Sequence, residues 1–207
     1  YTGTDGSFFK GIDPDTGTEA YLWSAYCSIT EKTGTSNTNQ IAPFASAGAV
    51  QTFIDILESK IGCGYAWAGT GQILTSAELK RLESIHGYAR YHTKSFNVDK
   101  WLGKQVFDCS GLICWALWQM KLLSTSERYS AQTLFSNICY EVSAANVQPG
   151  DLFFRQNKSS IYHVGAIVNN NFQVEARGTS YGVVKRAKGV AERYGRIIKL
   201  CNGTSFE

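Results

Sequence analysis

The sequence is poor in the features that mark a membrane, metal or redox protein. None of its 207 residues lie in a run approaching the roughly 18 consecutive apolar residues of a membrane-spanning helix. The amino terminus lacks the basic-then-apolar order of a signal peptide. It starts at Tyr1 in a stretch rich in Gly, Thr and Asp, and reads as a piece cut from a longer protein, with any targeting segment absent from this chain. Histidine is scarce, at positions 86, 92 and 163 only, and the six cysteines (27, 63, 109, 114, 139 and 201) include no C-x-x-C pair. A zinc site would need ligands gathered from scattered positions, so neither a metal nor a cofactor is expected. The chain is also large enough to fold without covalent staples, and free thiols are expected. Charge of neither sign dominates: the net value is +3, too weak to indicate a nucleic-acid partner.

Apolar side chains, by contrast, are plentiful. At 43% hydrophobic residues the chain can bury one substantial core, which argues for one principal domain. Residues 1–45 are dominated by Gly, Thr, Ser, Asn and Asp, with an apolar island at Ala20 to Ile29, and read as an amino-terminal extension or linker. The domain proper spans 46–207. From Ser46 to Ile61 the apolar residues Ala49, Val50, Phe53, Ile54, Ile56, Leu57 and Ile61 recur at helical spacing, with Ser46 as N-cap and Gly62 as stop. A second helix is expected from Ser76 to about Tyr88, with Leu79, Leu82 and Ile85 on one face, and a third, buried one from Cys109 to Leu123. After the Pro-Gly-Asp turn at 149–151, strands are expected at Asp151–Arg155, His163–Val168, Phe172–Ala176, Tyr181–Arg186 and Gly195–Leu200, with a hairpin turn at 169–171. Helices followed by a strand meander indicate an α+β domain with segregated layers.

The strongest chemical signal is Phe107-Asp108-Cys109-Ser110-Gly111-Leu112-Ile113, which places a cysteine at the start of a long hydrophobic helix. The unpaired N–H groups and the positive end of the helix dipole stabilise a thiolate there. Gly111 lets a substrate or the preceding loop approach closely. Taken alone, such a cysteine is more often inert core, as Cys114 is expected to be. A nucleophilic thiol also needs a base, and His163 stands in a strand-like run with Gly165 and Ile167 on its face. Twelve residues on, across the expected hairpin, Glu175 is placed to accept the second imidazole N–H. Its competing role is a salt bridge to Arg177.

These segments resemble the NlpC family of papain-like cell-wall peptidases. The resemblance rests on D-C-S-G-L at Asp108 to Leu112, P-G-D-L-F-F at Pro149 to Phe154 and H-V-G-A-I-V at His163 to Val168, in the family's order. Tyr65-Ala66-Trp67-Ala68-Gly69 is similar to its Tyr-x-Trp-Gly-Gly element, and Arg128-Tyr129-Ser130-Ala131-Gln132 to its Arg-Thr-Ser-x-x-Gln region. The resemblance implies helices packed on an antiparallel sheet, with Cys109 as nucleophile and His163 as base. The third position, usually histidine in the family, falls on Glu175. It further implies substrate-binding roles for Tyr65, Asp108, Ser110 and Ser130, and a cleft-wall or core position for Trp67. The segment from about 71 to 106 is much longer than the family's usual loop and is expected to cover or crowd the cleft, with His86 and His92 as surface residues of this insertion.

The implied substrate is the stem peptide of bacterial peptidoglycan, cut between D-γ-glutamate and a diamino acid, by a protein that acts on the cell wall after secretion or phage delivery. Other readings on the same fold are an N-acetylmuramoyl-L-alanine amidase, an acyl- or transpeptidase, and a non-catalytic wall-binding module. The stretch 185–199, with Lys185, Arg186, Lys188, Arg193, Arg196 and Lys199 against Glu192, offers a contact for an anionic wall polymer, although most short charge runs are simply solvated.

Overall fold

The computed structural model describes residues 8–12, 19–23 and 47–201. The chain divides into two compact units, 1–40 and 41–207. In the first, strands β1 (Phe8–Ile12) and β2 (Glu19–Trp23) pair antiparallel. The apolar island thus begins as a strand; its remainder, the Ser46 cap and Cys27 lie outside the described residues.

The second unit opens with α1 (Ala47–Glu58), whose Phe53, Ile54 and Leu57 are buried. The helix stops earlier than its apolar spacing suggests. Lys60 and Ile61 N–H groups turn back to the carbonyls of Leu57 and Glu58, Gly62 adopts a φ of 89°, and Ile61 is left exposed. Helix α2 (Ser76–His86) is capped by Thr75, whose hydroxyl accepts from Glu78 N–H at 3.1 Å, and closes at Gly87 with φ 88°. Leu79 and Leu82 face inward, whereas Ile85 is exposed because it sits on the final turn, beyond the apolar cluster.

Helix α3 (Cys109–Gln119) is apolar around most of its circumference and is buried accordingly. It ends four residues before the apolar run does, since Lys121 takes a φ of 55° and breaks the ladder. The later segment adds α4 (Ala131–Ile138) and β6 (Cys139–Val142), neither marked by a strong pattern in the sequence. Strands β7 (Leu152–Gln156), β8 (Ile161–Ile167), β9 (Phe172–Gly178), β10 (Gly182–Ala187) and β11 (Arg193–Ile197) complete a six-stranded sheet in the order β10-β9-β8-β7-β11-β6. Its pairings are all antiparallel. The meander holds from β7 to β10; β11 then returns to lie between β7 and β6. Residues 198–200, expected as strand, begin the short helix α5 (Ile198–Cys201).

Helices α1, α3 and α4 join the sheet in one apolar core built from Phe53, Leu57, Leu112, Ile113, Leu117, Leu134, Val164 and Val174, among others. This is the α+β, papain-like arrangement of helices on an antiparallel sheet. A second sheet of three short strands, β3 (Gly64–Tyr65), β5 (Gln105–Phe107) and β4 (Thr70–Ile73), was not anticipated from the sequence. It brackets the long segment 71–106, which has its own cluster of Leu74, Leu79, Leu82, Tyr91, Val98 and Trp101.

Candidate active site

Cys109 is the first residue of α3, and the chain is led to it from two sides. Tyr65 pairs in register with Phe107 in the parallel β3–β5 ladder, which brings the Tyr-x-Trp motif beside the cysteine helix. Gly69 O accepts from Asp108 N–H at 2.9 Å. A Cβ on Gly111 would lie 2.0 Å from that same carbonyl oxygen, so the glycine after Cys109-Ser110 serves the approach of the preceding loop. The N–H groups of Cys109 and Ser110 have no acceptor among the described residues and stand free at the start of the helix.

The half-buried thiol of Cys109 lies near enough to His163 on β8 to favour the protonated imidazole. The other side of the imidazole is held by Glu175 on β9, with Nε2 and Oε2 2.5 Å apart. With Nε2 engaged by the carboxylate, Nδ1 is the nitrogen left to face the thiol. Gly165 makes this geometry possible: a Cβ there would lie 2.5 Å from the Phe153 ring and 2.8 Å from Glu175 Cβ.

Glu175 does not pair with Arg177. Its second oxygen accepts from Arg186 Nε and, at 3.1 Å, from Gln173 Nε2. The reason is register. Val184 lies opposite Glu175 across β9–β10, so Arg186 is the diagonal neighbour within reach of a long side chain. Burial opposes charge on both site residues, but the partners prevail. Desolvation alone would lower the His163 pKa; the hydrogen bonds and charges of Cys109 and Glu175 raise it from 6.5 to about 9. Burial would raise Glu175, yet His163 and Arg186 hold it at about 2. The pair is therefore an imidazolium beside a carboxylate across the neutral range.

The family model named "NlpC/P60 family" matches residues 87–196, more than half of the chain. The chain belongs to the NlpC/P60 family. This is a family of cysteine peptidases that act as peptidoglycan hydrolases. The search of curated proteins returned no match. Among solved structures, the peptidoglycan hydrolase RipB from Mycobacterium tuberculosis is 25% identical, over 73% of this chain and 65% of its own, with a TM-score of 0.49. NlpC2 from Trichomonas vaginalis is 18% identical, over 92% of this chain and 58% of its own, with a TM-score of 0.50, and shares the fold. The chain thus spans less than two thirds of either protein.

The family's other motif positions take mixed roles here. Asp108 caps α3, its Oδ1 accepting from Gly111 N–H at 2.6 Å, and Arg128 grips both its oxygens at 2.6 and 2.8 Å. Ser110 is buried, donates to Asp108 Oδ1 and accepts from Arg128 Nη1 at 3.0 Å. The expected binding pair is therefore spent on fixing the helix start, and Arg128 emerges as its clamp. Gln132 of the same motif accepts from Ile161 N–H at 3.1 Å and ties α4 to β8. Ser130 does not line the cleft: it is exposed and caps α4, accepting from Thr133 N–H at 3.1 Å.

Tyr65 and Trp67 do line a cleft of about 420 Å³, together with Ala89, Arg90 and Phe96 from the insertion and residues 177–181. Burial, then the neighbouring Cys109 and Asp108, raise the Tyr65 pKa and keep the phenol protonated. Trp67 is a cleft wall, 42% exposed, with the Arg90 guanidinium 4.4 Å from its ring centroid. His86 is exposed at the end of α2, and His92 sits between Glu83 and Asn97 within the insertion, at 2.5 and 2.9 Å. Cys114 is wholly buried. Among the described residues no three His, Cys, Asp or Glu side chains converge to hold a metal, and no helix is long and apolar enough to cross a membrane.

The basic stretch 185–199 is largely neutralised within the fold. Lys185 pairs with Glu58, Arg186 with Glu175, Arg193 with Glu141 and the buried Arg196 with Asp151, while Lys199 donates to Leu122 O. Of the six cations, Lys188 and Lys199 have no side-chain partner among the described residues, and Lys199 is held by a backbone carbonyl. The stretch is consequently not a free cationic strip.

Proposed function

We propose that this protein hydrolyses an amide bond in the peptidoglycan stem peptide, between D-γ-glutamate and the diamino acid, with Cys109 as nucleophile, His163 as acid–base and Glu175 as the positioning carboxylate. The observation that carries this reading is the imidazole–carboxylate pair, His163 Nε2 2.5 Å from Glu175 Oε2, with the Cys109 thiol nearby at the first turn of a buried helix. We assign residues 46–207 to the catalytic domain and 1–45 to an extension of it.

His163 already holds the thiol proton as the imidazolium, and the Cys109 thiolate attacks the scissile carbonyl to form a C–S bond. The developing oxyanion is met by the free N–H groups of Cys109 and Ser110, aligned with the positive end of α3. The C–N bond then breaks, the amine leaves with the imidazolium proton, and a thioester remains. A water molecule, deprotonated by His163, adds to the thioester; its collapse releases the new carboxylic acid and restores the thiol. Throughout, Glu175 holds the ring orientation and stabilises each imidazolium. Because Arg186 and Gln173 engage its other oxygen, the carboxylate cannot rotate away from the ring without losing those bonds.

Digestion of purified walls by the parent protein and by Cys109→Ala, with released fragments read by mass spectrometry, tests the proposal. Fragments ending at D-γ-glutamate from the parent alone are the expected result. Intact stem peptides freed from the glycan would replace it with an amidase, and release by the Cys109→Ala variant would overturn the thiol mechanism.

A further inference from the structure

The cleft that begins at Tyr65 carries two arginines and no acid. Arg90 comes from the insertion and Arg177 from the end of β9, and both line the cavity with Trp67, Phe96 and Tyr181. Each guanidinium lies over an aromatic ring, Arg90 at 4.4 Å from the Trp67 centroid and Arg177 at 4.1 Å from that of Tyr181. Stacking of this kind flattens a guanidinium against its ring and leaves the N–H edge free to donate. Neither arginine has a carboxylate partner among the described residues, although most cations of the basic stretch do. Arg177 is two residues beyond Glu175, on the same face of the sheet as the His163 site. On the other side, Arg90 is close enough to act electrostatically on Tyr65, which itself feels the charge of Cys109.

The walls are also braced. Trp101 Nε1 donates to Thr179 O at 2.7 Å and Lys100 Nζ to Ser180 O at 3.0 Å, so the insertion holds the 178–181 loop as well as supplying Arg90. A Cβ on Gly182 would stand 2.9 Å from the Trp101 ring, which shows how closely the two segments are fitted.

We propose that Arg90 and Arg177 form an anion subsite that selects substrates bearing a free carboxylate beside the scissile bond. Two fixed guanidinium edges suit a planar carboxylate, whereas a neutral carboxamide would leave them unpaired. The inference deepens the hydrolase reading above and rests on it. The insertion thereby acts in selection, admitting stem peptides whose flanking residues keep their acid groups and disfavouring those in which these are amidated.

The test compares peptides containing the D-γ-glutamyl–diamino acid bond with their flanking carboxylates free, or converted one at a time to carboxamides. The parent protein is expected to prefer the acid form by about tenfold or more in kcat/KM at one of these positions. In Arg90→Gln and Arg177→Gln that acid-to-amide ratio narrows towards one, and Arg→Lys at either position restores part of it. The ratio is taken on a single protein sample, so a loss of folded material cancels. Equal rates on acid and amide in the parent, or a preference unchanged in both glutamine variants, overturn the subsite. Binding of the same peptides to Cys109→Ala, measured by calorimetry, separates this inference from the mechanism. A binding preference for the acid without turnover by the parent upholds the subsite and tells against the hydrolase reading. Tighter binding of a glycerol-phosphate oligomer than of the acid peptide, lost in both glutamine variants, would replace the carboxylate with a phosphodiester ligand and overturn the proposal.

Discussion

The apolar cluster beneath Cys109 and the cluster inside segment 71–106 are built to opposite specifications. The first joins three helices to one face of a six-stranded sheet, and Phe53, Leu57, Leu112, Ile113, Val164 and Val174 are sealed within it. The second is thin. It buries Leu74, Leu82, Tyr91 and Trp101 but leaves Ile73, Ile85 and Tyr88 more than half exposed. Thiol, imidazole and carboxylate are carried by the thick cluster, where neighbouring strands and helix caps hold each of them. The thin cluster contributes only surfaces to the cleft, through Arg90, Phe96 and the brace from Trp101. The division teaches that acid–base geometry is anchored by the sheet, while the shape of the substrate entrance depends on a more weakly packed segment with fewer neighbours to resist change.

Breaking each cluster in turn should separate these contributions. The largest effect is expected from His163→Ala, which removes the proposed base and should lower kcat on a soluble peptide by about a thousandfold, in the range of a general acid–base group. Its thermal unfolding should still be cooperative, because the ring lies beside the core and not in it. Trp101→Ala attacks the thin cluster. It should cost about 3 kcal/mol of stability in a denaturant titration, at the lower end for a large aromatic. KM should rise more than kcat falls, since the 178–181 loop loses its brace while the His163–Glu175 pair remains. The opposite pattern would mean that the insertion supports the reacting groups themselves.

Glu175→Gln should lower kcat by about a hundredfold, with less effect on KM, as expected for loss of imidazolium support. The pH profile sharpens this. In the parent the protonated His163 persists up to about 9, so activity that needs the imidazolium declines as pH rises through that value. Without the carboxylate the imidazolium is less favoured, and the alkaline limb moves to lower pH. Stability follows the same logic. The contribution of His163 is full below its ordinary 6.5 and lost as pH rises through about 9; that of Glu175 is full above 4.5 and lost as pH falls through about 2. The two contributions are complete together between 4.5 and 6.5, and the midpoint of thermal unfolding should be least sensitive to pH there. The smallest effect is expected from Ser130→Ala, about 1 kcal/mol of stability from the lost α4 cap with kcat/KM unchanged. A rise in KM would restore Ser130 to the substrate cleft.

Much of the site could be read from short stretches. Asp108-Cys109-Ser110-Gly111 announces a helix start, because the cap, the helix and the glycine lie within four residues. His163 and Glu175 could be brought together because a hairpin about residues 169–171 relates positions twelve apart, and its antiparallel register is set locally. The ends of elements were less legible. Ile61 and Leu122 continue an apolar pattern past the point where backbone turns interrupt it, and periodicity alone does not register the interruption.

Amino-acid order by itself determined the fold class, the helix that begins at Cys109 and the strand that carries His163 in this NlpC/P60 protein, since helical period, strand alternation and capping act over a few residues. Tertiary structure decided the partners. Arg128 reaches back twenty residues to lock Asp108, Arg186 takes the carboxylate that Arg177 stood nearer to in sequence, and Arg177 is thereby left to line the cleft with Arg90. Long cationic side chains have many reachable acids in a sequence. Only strand register and the burial of each carboxylate select which pair forms.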